Sequence, residues 1–393
     1  MRMSVLARFG IGAGAVLLAI AGTVGGSGSP ARAAAPAAAA APATVAAPAA
    51  AAAPTSYVTN GYLTSVAAVS ASDAWAVGSR TVKGGGQNVL ILHWNGRKWS
   101  PVANIRPVWG WLDSVSAVSA SNIWAVGEYT PSGKDHRVLI MHWNGKSWSQ
   151  AGGVPSVIGT LYGVSANAGT VWAVGTIQVN AGHEPSLIMH LTGGHWYVVP
   201  APVPISADGD AVLDGVVLGT HGTAWAIGTA DNGEGYNVLL RWNGATWKSV
   251  ASPMSGEVGG LPFGLAAVPS GNVWVVGWDN DNDGAGSMVW NGSTWRKVPV
   301  PTWASCTFYA VASVPGSVWA VGAGGVHGGN GALLYRWTGK SWTRFSGPSL
   351  GAEGRLDGVA GTSAASVWAV GSSWSPPKSE QTVILHWNGK AWS

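Results

Sequence analysis

From residue 61 onward, short apolar runs alternate with breaks rich in Gly, Ser and Asn, and the alternation returns every 45–53 residues. Within one period the pattern predicts four strands, at residues 63–69, 74–78, 89–94 and 98–102 of the first copy. The third run, Val89-Leu90-Ile91-Leu92-His93-Trp94, is apolar on both faces. A strand of that kind is buried on both sides, so each small sheet must lie between two others. Asn95-Gly96 between the third and fourth runs is a short hairpin signal. A two-residue turn there places Trp94 opposite Arg97, with Trp99 as a diagonal neighbour on the same face.

Seven copies of the period are present. Each carries Trp-Ala-Val-Gly or a close variant, with Trp75, Trp124, Trp172, Trp225, Trp274, Trp319 and Trp368 followed three residues on by Gly. Six copies add a Trp pair five residues apart, as in Trp94/Trp99. The third has Leu191 for the first Trp and Thr192-Gly193 for Asn-Gly. Four strands per repeat of 40–50 residues, stacked face to face, describe a β-propeller. The expected fold is therefore all-β, a seven-bladed β-propeller of four-stranded antiparallel blades over residues 61–393. A β-solenoid has shorter repeats. Separate sandwiches do not share one motif at near-constant spacing. The sequence stops at Trp392 and Ser393, which leaves the last outer strand short. Either it is a stub, or residues 57–59 add to it and close the ring.

The first 60 residues read differently. Residues 1–33 have the marks of a secretory signal peptide: Arg2 and Arg8, an uncharged apolar stretch over 9–24, and Ala31-Arg32-Ala33 as a cleavage site. That stretch holds four Gly and falls short of the ~20 apolar residues of a spanning helix. Residues 34–60 form an Ala/Pro-rich linker, expected to be disordered. Secretion and no transmembrane anchor follow as expectations. Removing the leader takes three Arg and leaves 18 basic against 17 acidic residues. No clustered basic footprint points to nucleic acid. The lone Cys306 reads as a partly buried thiol, and no disulfide framework supports the fold.

The Trp-Ala-Val-Gly and His-Trp-Asn-Gly-x-x-Trp repeats behind a leader and an Ala/Pro tract resemble those of secreted actinobacterial propeller proteins. More distantly the pattern is similar to kelch, galactose-oxidase-like and sialidase-like propellers. The resemblance implies adhesion, carbohydrate binding or carbohydrate chemistry, and it carries fold better than function.

Twenty of the 25 Trp belong to the repeat and read as inter-blade core. The other five, Trp109, Trp111, Trp278, Trp303 and Trp374, fall in the blade-to-blade loops and the loops between second and third strands, which share one face. An exposed indole there suits stacking on a sugar or anchoring a partner. A second set opens the channel strand: Thr64, Asp113, Tyr162, Asp214, Phe263, Tyr309 and Asp357. Its acids and aromatics are candidate ligand-binding groups at the channel mouth. Asp279, Asp281 and Asp283 in D-N-D-N-D-G are candidate Ca²⁺ ligands. An EF-hand is excluded because its twelfth position is Trp290.

Enzymatic signatures are thin. Asp113, Asp214 and Asp357 are not paired by spacing as glycosidase carboxylates. Arg80, Arg106, Arg137 and Arg355 share the loops, but the sialidase box is absent. His136, His183 and His327 are scattered over loops, while His93, His142, His190 and His386 hold one repeat position and read as structural. The expected function is that of a secreted, monomeric, non-catalytic binding propeller for a glycan or cell-envelope component. The alternatives are a carbohydrate-active enzyme and a protein-interaction scaffold.

Overall fold

The computed structural model describes residues 57–393 apart from 104, 106–108, 132–134, 180–183, 204–209, 231–235, 254–259, 303–304, 327–328, 352 and 376. The expected signal peptide and residues 34–56 of the linker lie outside the described residues. The rest is a seven-bladed β-propeller of four-stranded antiparallel blades. Blade one is β1 (Gly61–Ser70), β2 (Asp73–Thr81), β3 (Gln87–Trp94) and β4 (Trp99–Pro101), paired in chain order. Further blades begin at Gly110, Gly159, Ala211, Leu261, Cys306 and Glu353. Among the described residues no helix is long and apolar enough to cross a membrane.

The glycine of Trp-Ala-Val-Gly follows from a feature of the strand beside it. In every blade the inner strand has a β-bulge, so one residue has no partner: Leu63 pairs with Gly78 and Ser65 with Val77, which leaves Thr64 over. The same shift recurs in the other six blades. A bulge bends the strand and redirects its carbonyls. Here it brings a backbone oxygen to 1.9–2.1 Å from where a Cβ on the repeat glycine would sit, in all seven blades. Only glycine fits. The residue after the bulge is crowded in some blades, because inner strands of neighbouring blades meet there. A Cβ on Gly163 would lie 2.9 Å from Gly215 Cα, and one on Gly358 2.9 Å from Ser65 Cα. Where that residue is serine, it bonds across the joint: Val115 N donates to Ser65 Oγ and Val164 N to Ser114 Oγ.

Indoles join the blades. The second-strand Trp of each blade meets the fourth-strand Trp of the next edge-to-face, as Trp75 meets Trp148, Trp225 meets Trp295 and Trp368 meets Trp99. All seven joints have this pair, with centroids 5.1–5.7 Å apart. In six blades a polar side chain lies against the second-strand Trp, and in blade five the position is Val289. His93, His142 and His190 stack on Trp75, Trp124 and Trp172, and His386 lies tilted against Trp368. Each imidazole Nε2 is tied to a polar residue opening the second strand or just before it: Asp73, Asn122, Thr170 or Ser366. Arginine takes the position in blades four and six, with Arg241 over Trp225 and Arg336 over Trp319.

Two expectations need correction. Trp94 pairs directly with Trp99, so the connecting turn spans residues 95–98. The Asn95 carboxamide accepts from the N–H groups of Arg97 and Lys98, an Asx arrangement that needs four residues. The two-residue turn occurs in blade three, where Gly193 and Gly194 both have positive φ and Thr192 faces His195. The expected linker also ends earlier than residue 60. Trp392 and Ser393 pair with Trp387 and His386, and farther along the same strand edge Asn60 bridges Gln381. Thr382 N donates to Thr59 O and Gly61 N to Glu380 O. Both ring-closing alternatives hold at once, a stub extended by residues 57–60.

Three measurements test these joints. Gly175→Ala costs about 3 kcal/mol in denaturant unfolding, whereas Gly152→Ala, with nothing within 4 Å of its Cβ, changes little. Trp392→Ala removes the indole of the sixth joint and costs about 3–5 kcal/mol. Burial holds the His142, His190 and His386 imidazoles below their ordinary pKa of 6.5. The fold therefore favours the neutral rings, and the unfolded chain takes up protons first. Melting temperature is expected to be flat above about pH 6.5 and to fall below it, less steeply when all three are Gln.

Candidate functional site

The starts of the inner strands, the ends of the second strands and the starts of the third strands lie together at one end of the blades. Four of the five non-repeat Trp are described, and all four are at this end. Trp109 precedes the first strand of blade two, bridges Asn88 of blade one and lies over Gly86. It is 59% exposed, and Trp374, at the end of the second strand of blade seven, is 40% exposed. Trp111 and Trp278 are half-buried within strands. Trp303 lies outside the described residues, as do His183, His327 and Arg106. The four indoles are spread over blades two, five and seven.

The seven residues chosen at the start of the channel strand are the seven bulge residues: Thr64, Asp113, Tyr162, Asp214, Phe263, Tyr309 and Asp357. All are half-buried at the free inner edge. Several touch across joints. The Thr64 hydroxyl donates to Leu112 O of the next blade at 2.7 Å. The Phe263 and Tyr309 rings are 5.7 Å apart. Arg355 Nε donates to Asp357 Oδ2 at 3.1 Å. Burial, then the Asp357 charge, raises the Tyr309 phenol above its ordinary pKa, with Arg355 opposing. The phenol therefore stays protonated as a donor beside a carboxylate. Of the other loop arginines, Arg137 donates to Ser156 and Arg80 is exposed at the end of β2.

The structure adds a group the sequence reading scattered. Glu128 is 4% exposed. Its carboxylate accepts from the Thr160 hydroxyl of blade three and pairs with His136 Nδ1. The His136 ring lies 6.0 Å from that of Trp111 and remains half-exposed. A buried carboxylate thus orients an imidazole at the surface. The signal was present in the repeat. The residue after the repeat glycine is Ser79, Thr176, Thr229 or Ser372 in four other blades, all buried, and Glu128 is the acid in that row.

The D-N-D-N-D-G segment is arranged around a lysine. A 3-10 turn over Asn280–Asn282 follows Asp279, and Asp283 adopts a left-handed conformation. Lys297 Nζ lies against both Asp279 and Asp281, and these carboxylates raise its pKa above the ordinary value. Among the described residues no three His, Cys, Asp or Glu side chains converge as a metal site. Cys306 is fully buried, deeper than the partly buried thiol expected.

Neither protein-family models nor curated sequences match the chain. Solved structures do. An ulvan lyase of polysaccharide lyase family PL25, bound to -[GlcA(1-4)Rha3S]-, matches at 11% identity and a TM-score of 0.52, covering 85% of this chain and 96% of its own. The β-propeller domain of the trilobed protease from Pyrococcus furiosus, with an open velcro topology, matches at 10% identity and 0.52, over 86% and 96%. The GH74 xyloglucanase from Xanthomonas campestris matches at 16% identity and 0.52, over 85% of this chain and 54% of its own. At these identities the likeness is one of fold.

Lys297→Met removes the ammonium that lies against Asp279 and Asp281, and the melting temperature is expected to fall by a few degrees. Added calcium or chelator is expected to leave the wild-type value unchanged, because a bound ion would have to raise it.

Proposed function

We propose that the chain is a non-catalytic binding propeller, secreted by its leader, which recognises a neutral or weakly charged glycan of the cell envelope through its loop end. The observation that carries this reading is the pair of exposed indoles, Trp109 and Trp374, at the end that also holds the bulge-residue ring. The repeat indoles are spent on joints, whereas these two leave much of their ring surface to solvent. A flat apolar face next to carboxylates and hydroxyls suits a sugar ring, whose C–H face stacks while its hydroxyls bond to acids. Asp113, Asp214 and Asp357 supply acceptors, and Tyr162 and Tyr309 supply aromatic rims. Two of the similar structures act on polysaccharides, an ulvan lyase and a xyloglucanase, which supports the substrate class.

A second reading, a carbohydrate-active enzyme, is favoured by one observation. The buried Glu128 fixes the His136 imidazole by Nδ1, which leaves Nε2 for a ligand proton.

Titration of the purified protein against cell-wall polysaccharides separates the two. Binding without turnover is expected, and Trp109→Ala and Trp374→Ala each weaken it about 10- to 30-fold, the range for loss of an anchoring aromatic. Polysaccharide cleavage that survives both Trp variants but is lost in His136→Gln would replace the binding reading with the enzymatic one.

A further inference from the structure

Six of the seven joints hold a third indole besides the edge-to-face pair. The third-strand Trp of each blade packs on the second-strand Trp of the blade before it, at centroid distances of 4.9–5.3 Å. The joint between blades two and three lacks it, because Leu191 stands where the others have Trp. A pocket of ≈ 380 Å³ lies at this place, lined by Trp124, Leu191, Asn122, Ala168, Thr192 and Gly194 among others. That size is at the lower end for small-ligand pockets, about 300–1,000 Å³. Trp124 is 8% exposed, whereas its six counterparts are 0–4% exposed.

The surroundings specify what fits. In blades one, two and seven the third-strand indole N–H donates to a turn carbonyl 23 residues earlier, at Ala71, Ala120 and Ala364. The corresponding carbonyl in blade three belongs to Ala168, on an exposed turn lining the pocket, and Leu191 brings it no donor. The walls are fixed by their own bonds. The Asn122 side chain pairs with His142, and the Thr170 and Thr192 hydroxyls hold the two nitrogens of His190. The joint thus keeps one π-face and one acceptor in the relative places they hold elsewhere around an indole.

We infer that this joint is a binding slot for an exogenous indole ring, which packs on Trp124 and donates its ring N–H to the Ala168 carbonyl. The slot opens at the turn end of the blades, opposite the end that bears Trp109 and Trp374. It is therefore independent of the glycan reading.

Saturation-transfer NMR on the full chain, with N-acetyl-tryptophanamide and free indole as probes, tests the slot. Wild type is expected to bind, and Leu191→Trp to weaken binding at least tenfold while raising the melting temperature by a few degrees, since it supplies the missing ring. Trp109→Ala, at the other end, is expected to leave probe binding unchanged. Binding of both probes assigns the slot to a tryptophan carried on a polypeptide, and binding of free indole alone assigns it to a free heterocycle. No binding by wild type, or binding that Leu191→Trp leaves unchanged, overturns the inference. The raised melting temperature shows that the variant is folded, so loss of binding is not loss of structure.

Discussion

The edge-to-face indole pair between neighbouring blades is the contact on which the molecule depends. A four-stranded sheet of short strands cannot bury its two faces alone, and an isolated blade would expose both. Each indole buries about 150–250 Å², and the same pair recurs at every joint of the ring. Charge contributes little in a chain with 10% charged residues. With a single cysteine, no disulfide reinforces the ring. What remains is repetition, since a closed ring has no terminal sheet left uncovered. Blade seven meets blade one through Trp368 against Trp94 and Trp99, the same geometry as elsewhere. Residues 57–60 add backbone bonds along the edge of the last strand and two bonds through the Thr382 hydroxyl.

The architecture was legible because its demands are local and repeated. A doubly apolar third strand requires neighbours, and the Trp spacing counts the blades. The repeat glycine could be seen but not explained. Its reason is a carbonyl displaced by a bulge in another strand, and a bulge is a matter of register that no single run of residues displays. The hairpin differs from its dipeptide signal for a related cause. Asn-Gly by itself favours a two-residue turn, but the Asn95 side chain closes a wider one, and this keeps Trp94 and Trp99 directly opposed. Pairing across the sheet prevailed over the dipeptide.

The candidate site was legible in part for the same reason. The seven residues at the channel strand could be aligned by repeat position alone, and the structure shows that position to be the bulge. Glu128 stands out in its repeat row, but its grouping with His136 and Thr160 joins two blades and a loop. The spacing between the three follows no period.

In a molecule of seven copies, each departure from the shared pattern is measured against six controls. Some departures are compensated. Arg241 and Arg336 replace histidine yet still cover Trp225 and Trp319. Glu128 replaces a hydroxyl yet receives Thr160 and His136. These substitutions preserve the joint and alter only its chemistry. Leu191 differs because no other indole stands in for the lost one among the ring contacts of Trp124, which keeps more exposure than its counterparts. A compensated departure is consistent with drift or with tuning. An uncompensated one forgoes packing that six sister joints retain, which makes it the place where the repeat itself points to an outside partner.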